Sequence, residues 1–430
     1  MPIKIYNTLG RELQTFKSIQ KGEVKMYHCG PTVYWDQHIG NMRAIVFADL
    51  FKRALEYNNY RVTLVRNYTD VGHLTGDNIG DADSGEDKMD KAATREGLQP
   101  DAIADKYIAS FEKDITLLHA NSADSKPRAT EYINEIKIMV NELLVKGFAY
   151  QTSQGIYFDV VKYPEYTKLS GQKLDLQSVH AGHGNVSDGE KRNNSDFALW
   201  IYAQGSHAKA LQTWSSSFED KNIIIKKNGF PGWHIECSAM SRALLGDHID
   251  IHMGGIEHIP VHHTNEIAQS ESANGVKYVN YWLHNEHLLV DGKKMSKSEG
   301  TSYLLSDIIS KSIDPLALRY FFLQAHYRSK QNFTWEALDA SATAYKKLKR
   351  QVDILSASDM DPLHLEKKLE IEVNPKFISY QSKFLSSINN DFNFSQALAI
   401  IWTLLKDNDL SSIQKLELIH EFNKVLGLEL

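Results

Sequence analysis

Residues 292–300 read Gly-Lys-Lys-Met-Ser-Lys-Ser-Glu-Gly, small hydroxyl residues interleaved with three lysines and bounded by glycines. Ammonium groups on flexible stems in such a loop can follow the shifting charge of a departing pyrophosphate. Alone, the segment also fits a solvated basic turn. Far upstream, Tyr27 to Tyr34 (YHCGPTVY) is followed by His38-Ile39-Gly40-Asn41. A glycine at the start of a helix lets backbone N–H groups and an imidazole approach a polyphosphate, although a capped helix with an incidental histidine has the same letters. The chain's two cysteines, Cys29 and Cys237, both stand near histidines. Further on, His262 and Glu266 fall at i and i+4, on one helix face if that segment is helical. Two thiolates, an imidazole and a carboxylate suit tetrahedral zinc, while two scattered cysteines by themselves are commonly buried and inert.

Elements must bring these groups together. The pattern predicts a strand at Val24 to Tyr27, a Gly-Pro break, a helix from Asn41 to Tyr57 and a β-branched strand from Arg61 to Val71, which make a βαβ unit. Helices are expected at 101–120 and 129–146. From Gln151 to about Phe230 the text changes to a strand at GIYFDV, a polar stretch, FALWIYAQ and a Lys-rich passage, as in an inserted domain. After Pro231 strand-like and helix-like runs alternate again, and beyond about Ser306 the chain reads as helical almost to its end.

The bulk properties exclude several classes. At 430 residues the chain can bury a large core, and 42% hydrophobic with 24% charged residues is the balance of a globular protein rather than a disordered one. Lys plus Arg is 48 against 54 for Asp plus Glu, a net −6, so any nucleic acid must be met by a local basic face. No window approaches 18 consecutive apolar residues and the start lacks a signal-like apolar stretch, so a cytoplasmic protein without membrane partners is expected. Two cysteines make no disulfide framework.

Together these segments resemble the cysteinyl-tRNA synthetases, a family of class I aminoacyl-tRNA synthetases. Residues 38–41 resemble the HIGH signature and 294–298 are KMSKS letter for letter. The likeness extends through CGPTVY, NYTDVGHLTGD (67–77), GEDK (85–88), PGWHIECSAM (231–240), NEIAQSE (265–271) and 314–340. It implies an α/β fold with a Rossmann-like doubly wound parallel sheet, an inserted connective domain and an α-helical C-terminal region. The expected division is a first catalytic half at 1–120, the insert at 121–224, the second half at 225–285, the KMSKS loop and stem-contact region at 286–345 and a helical bundle at 346–430.

The resemblance implies a ligase that joins L-cysteine to tRNA(Cys) with ATP and Mg²⁺, as a monomer. One Zn²⁺ per chain is expected on Cys29, Cys237, His262 and Glu266, selecting cysteine through its thiolate. Gly30 and Thr69 should contact the amino acid and Trp233 should close its pocket. His38, Gly40, Asn41, Lys294, Ser296 and Lys297 should bind ATP, with His38, Lys294 and Lys297 stabilising the transition state. His73, His234, His252 and His263 are expected near the metal. The signature's final histidine is Asn41 here, 201–230 departs from the family text, and the chain reaches Leu430 without the usual anticodon-recognising domain. A related ligase that joins cysteine to glucosaminyl-inositol in mycothiol synthesis is the alternative. Against it stands the basic patch around Lys346, Lys347, Lys349 and Arg350, suited to a tRNA stem. A non-catalytic paralogue should have eroded signatures, and these are intact.

Overall fold

A computed structural model describes residues 1–74, 85–172, 190–193, 195–220, 223–295, 300–359 and 374–430; Ser296 and Lys297 lie outside the described residues. The centre is a four-stranded parallel sheet. Its strands are β1 (Glu23–His28), β2 (Arg61–Arg66), β3 (Ile249–Gly255) and β4 (Val279–Asn285), in the order β4-β3-β1-β2. Three helices complete the two halves: α1 (Ile39–Tyr57) joins β1 to β2, α2 (Trp233–Leu245) precedes β3, and α3 (His262–Asn274) joins β3 to β4. The order reverses between β1 and β3, so the crevice at their carboxyl ends is the switch point where ligands bind in such sheets.

Alternation along the strands assigns the two faces. Val24 and Met26 of β1 join one core with Phe47, Leu50 and Phe51 of α1 and with the C-terminal helices. Tyr27 and Cys29 join another with Cys237 and Met240 of α2 and Ile267 of α3. Helices therefore cover both faces, the doubly wound arrangement of an α/β fold. The strand expected at 61–71 ends at Arg66; beyond it, Thr69 keeps only a bridge to Thr32. The helix expected at 129–146 is a 3₁₀ turn, Ala129–Tyr132, followed by an α-helix, Ile133–Val145.

Between the halves lies a five-stranded antiparallel sheet, ordered Ala149–Gln151, Gly155–Phe158, Phe197–Tyr202, Ile223–Pro231 and Trp214–Asp220. The Lys-rich passage, to which the sequence assigned no element, is the hairpin of the last two strands. Its signal was period-two alternation, with Ser216 and Phe218 buried between exposed neighbours. The sheet runs to Pro231, so residues 225–231 pair with the insert rather than opening the second catalytic half at 225; Trp200–Tyr202 hydrogen-bonds to Gly229–Pro231. An N-terminal hairpin, Lys4–Asn7 with Glu12–Thr15, was not read from the sequence.

Beyond β4 the chain forms strand Leu288–Val290, which pairs with Lys293–Lys294 and with Gln331–Phe333. Helices Pro315–Leu323, Trp335–Asp359, Pro375–Ile388, Phe394–Leu405 and Ser412–Leu426 follow. No helix among the described residues is long and apolar enough to cross a membrane.

Two buried guanidinium groups tie these parts to α1. Arg43 is fully buried and donates to the carbonyls of Glu286, His326 (3.2 Å) and Ser329 (3.0 Å) and to Gln331 Oε1 (3.2 Å). Arg319, also fully buried, donates to Asp49 Oδ2 (2.7 Å) and to the carbonyls of Leu118 (2.9 Å), His119 (2.9 Å) and Leu426 (2.7 Å). Replacing one partner of a buried ion pair strands the other charge. Asp49 would keep Arg53 (2.8 Å) while three carbonyls lose a donor, so Arg319→Met should lower stability by about 3 kcal/mol, read as a fall in the urea midpoint.

Candidate active site and metal centre

Cys29 follows β1 directly, and its N–H donates to Met253 of β3 (3.2 Å), which places the thiol at the switch point. Cys237 comes from the first turns of α2, and His262 and Glu266 from the first turns of α3. One donor atom from each of these four buried residues lies within 4.8 Å of the others. The sulfurs are 3.9 Å apart, Cys29 Sγ is 3.7 Å from Glu266 Oε1, and His262 Nε2 is 3.0 Å from that oxygen. Two sulfurs, one nitrogen and one oxygen, converging away from water, can hold a divalent metal. An overlapping set substitutes His252 and His263 for Cys237 and His262.

Hydrogen bonds around the cluster orient its members. His262 Nδ1 meets His234 Nδ1 at 2.9 Å, leaving Nε2 to face the centre. Glu266 Oε2 is engaged by His252 Nε2 (2.8 Å) and Tyr278 OH (3.4 Å). His263 Nε2 lies 3.3 Å from Cys29 Sγ, and its Nδ1 lies 2.7 Å from His284 Nε2. Burial opposes charge on Cys29, Cys237, His262, His263 and Glu266, yet neighbours reverse it for three. Burial favours the protonated Glu266, but His252 and His262 hold its carboxyl below the usual range. His262, which burial lowers, is raised to about 10 by Glu266 and Cys237. The hydrogen bond from Cys29 brings the Cys237 thiol down to about 6 against the opposing effect of burial. Cys29 itself is pushed up by burial and by that neighbouring sulfur. Glu266 and Cys237 are thus held towards their anionic forms, whereas His262 must give up its proton before its Nε2 can ligate a cation.

The same cleft, about 440 Å³, continues from this cluster to α1 and the lysine hairpin. Its wall includes Cys29, Gly30, His262 and Trp233 at one end and His38, Gly40, Asn41, Lys294 and Met295 at the other. His38 caps α1, its Nδ1 accepting from Asn41 N–H (3.2 Å). A Cβ at Gly40 would lie 2.5 Å from Met295 Cε, the far end of a flexible side chain, and 3.1 Å from the His38 ring. Ile39 N–H donates to the Tyr303 carbonyl (2.9 Å), which brings the segment after the lysine loop against the helix start. Lys294 is exposed on its short strand.

Gly30 passes so near Asn67 that a Cβ would fall 1.6 Å from its carbonyl oxygen, and its N–H donates to Asn67 Oδ1 (2.9 Å). Thr69, expected to touch the amino acid, is buried behind this segment, accepts from Asn67 Nδ2 (3.2 Å), and is not among the residues that line the cleft. Residues given no individual role by sequence also face the cleft: Thr32, His73, Lys88, Glu257, His258 and Asn285. Lys88 could have been noticed in GEDK, but a buried lysine has no signature in a sequence.

Residues 15–343 match the family model described as the class I (C) tRNA synthetase catalytic domain. A Treponema denticola cysteine--tRNA ligase is 39% identical, aligned over 100% of this chain and 87% of its own length. Cysteine--tRNA ligase 1 of Burkholderia lata is 41% identical over 100% of this chain and 85% of its own. The fold resembles a leucyl-tRNA synthetase ternary complex from Agrobacterium radiobacter, with a TM-score of 0.66 at 11% identity, covering 96% of this chain and 85% of that one. It also resembles a Mycobacterium tuberculosis methionyl-tRNA synthetase, with a TM-score of 0.60 at 13% identity, covering 95% of this chain and 90% of that one. The fold is that of class I aminoacyl-tRNA synthetases. Within that class, the chain belongs to the cysteine--tRNA ligase family.

Asp87, beside the cleft, caps helix Lys88–Glu96 by accepting from Met89 N–H (2.7 Å) and Asp90 N–H (3.3 Å). Burial, with Asp90 adding to it, raises its carboxyl to about 7. The unfolded carboxyl releases its proton near pH ~4, so this stabilisation is complete below that value and is lost as pH rises through about 7. Asp87→Asn keeps a capping side chain. It should flatten the fall in urea midpoint between about pH 5 and about pH 8 relative to the parent.

Proposed function

We propose that the chain activates L-cysteine with ATP and transfers the cysteinyl group to the terminal adenosine of tRNA(Cys). The observation that carries the reading is the continuity of one cleft from a buried Cys-Cys-His-Glu cluster to the α1 N-terminus and Lys294. Full-length relatives at 39% and 41% identity support transfer to tRNA over ligation to an amino sugar.

Cys29, Cys237, His262 and Glu266 would hold Zn²⁺, consistent with their donor chemistry and mutual distances. The bound ion supplies a soft Lewis acid that favours a thiolate over a serine hydroxyl. Gly30 and Trp233 line the amino-acid end, while His38, Gly40 and Asn41 face the ATP phosphates with Mg²⁺ accompanying the nucleotide. The nucleophile is the cysteine carboxylate, already ionised near neutral pH, so the first step needs no general base. Attack on the α-phosphorus forms the mixed anhydride and expels pyrophosphate. Lys294, together with Ser296 and Lys297 by family likeness, neutralises that developing charge. Orientation and preorganised charge supply the rate enhancement.

The decisive assay is charging of tRNA(Cys) transcript with labelled cysteine, beside glucosaminyl-inositol as competing acceptor. Cysteinyl-tRNA should form and the amino sugar should remain unmodified; the opposite result would overturn the reading. Lys294→Ala should slow cysteine-dependent pyrophosphate exchange on the order of a hundredfold. Cys237→Ser should lose most bound zinc by elemental analysis; full retention there would refute the ligand assignment.

A further inference from the structure

A thiol-seeking metal separates cysteine from serine but not from a thiol one methylene longer, because both offer the same sulfur. Discrimination by length must come from the walls of the pocket. The wall beside the cluster is Trp233, the first residue of α2, whose indole packs on His262 with ring centroids 4.3 Å apart.

His73 lies almost parallel to that indole, centroids 4.0 Å apart and planes 8° apart. Its ring is held from both nitrogens: Lys88 Nζ is 2.8 Å from Nε2 and Thr32 Oγ1 is 2.5 Å from Nδ1. An ammonium can only donate, so Nε2 accepts and the ring proton sits on Nδ1, directed at Thr32. Lys88 and His73 are both buried, both ring nitrogens are engaged by Lys88 and Thr32, and His73 belongs to neither group of metal donors, so it is placed to support the indole rather than to orient a ligand.

We propose that His73, fixed by Lys88 and Thr32, is a positioning residue that sets the plane of Trp233 and thereby the side-chain length the amino-acid pocket accepts. Without the imidazole, the indole loses one supporting surface and can swing into the vacated space, widening the pocket beside the cluster. The inference rests on the cysteine-activating reading above.

The test is equilibrium binding of L-cysteine and L-homocysteine to the zinc-loaded protein by calorimetry, without ATP. The parent should favour cysteine, and His73→Ala should narrow the ratio roughly tenfold, the scale on which one methylene is discriminated. Zinc content and ATP binding should be unchanged. His73→Phe restores a flat ring without the hydrogen bonds and should recover most of the preference; Lys88→Met should fall between the two. An unchanged ratio in His73→Ala with cysteine binding intact overturns the positioning role alone, as does a loss in which both thiols and zinc decline together. A parent that binds neither thiol overturns the cysteine reading and this inference with it.

Discussion

A carboxylate, an imidazole and two thiols buried at the carboxyl end of a parallel strand form the constraint around which the molecule is built. Ionised groups taken out of water are strongly destabilising unless opposite charge and hydrogen bonds surround them. Glu266 answers that requirement with His252, His262 and Tyr278, and His262 in turn with His234. Such an arrangement is attainable only where several elements end at one point. The switch between β1 and β3 is that point, with the starts of α2 and α3 delivering the remaining donors.

The second half of the chemistry depends on α1. Its N-terminus faces the cleft, and its buried side depends on two guanidinium groups. Arg43 grips the backbone at Glu286, His326 and Ser329, on either side of the strands that carry Lys293 and Lys294. Arg319 clamps Asp49 together with the ends of distant helices. Arginine suits both places because a planar fork satisfies several acceptors at once, which a lysine ammonium does in no fixed geometry. The lysine hairpin is thereby referred to the helix start through a rigid path, although 253 residues of chain separate Asn41 from Lys294 (294 − 41).

Much of this was legible before any coordinates. The βαβ opening and the helical C-terminal region followed from residue type and spacing, and the four residues expected as donors do converge, as does an overlapping set. The insert's hairpin at Trp214–Pro231 was not read, because its Lys-rich exposed face masked the alternation of Ser216 and Phe218. Thr69, expected at the amino acid, is buried and accepts a hydrogen bond from Asn67. Arg43, Lys88 and Thr32 took no role from the sequence, since their partners are distant in the chain or are backbone carbonyls that leave no pattern.

The sequence by itself determined the fold class and displayed the candidate donor residues and the two short signatures at 38–41 and 294–298, because periodicity and local motifs are encoded between near neighbours. Only the tertiary structure decided that His38, Gly40, Asn41 and Lys294 line one cleft with Cys29 and His262, and that His73 stacks on Trp233. Cys29 lies 208 positions from Cys237, and His73 lies 160 from Trp233 (233 − 73). Their geometry arises from how sheets and helices pack, which no local pattern contains.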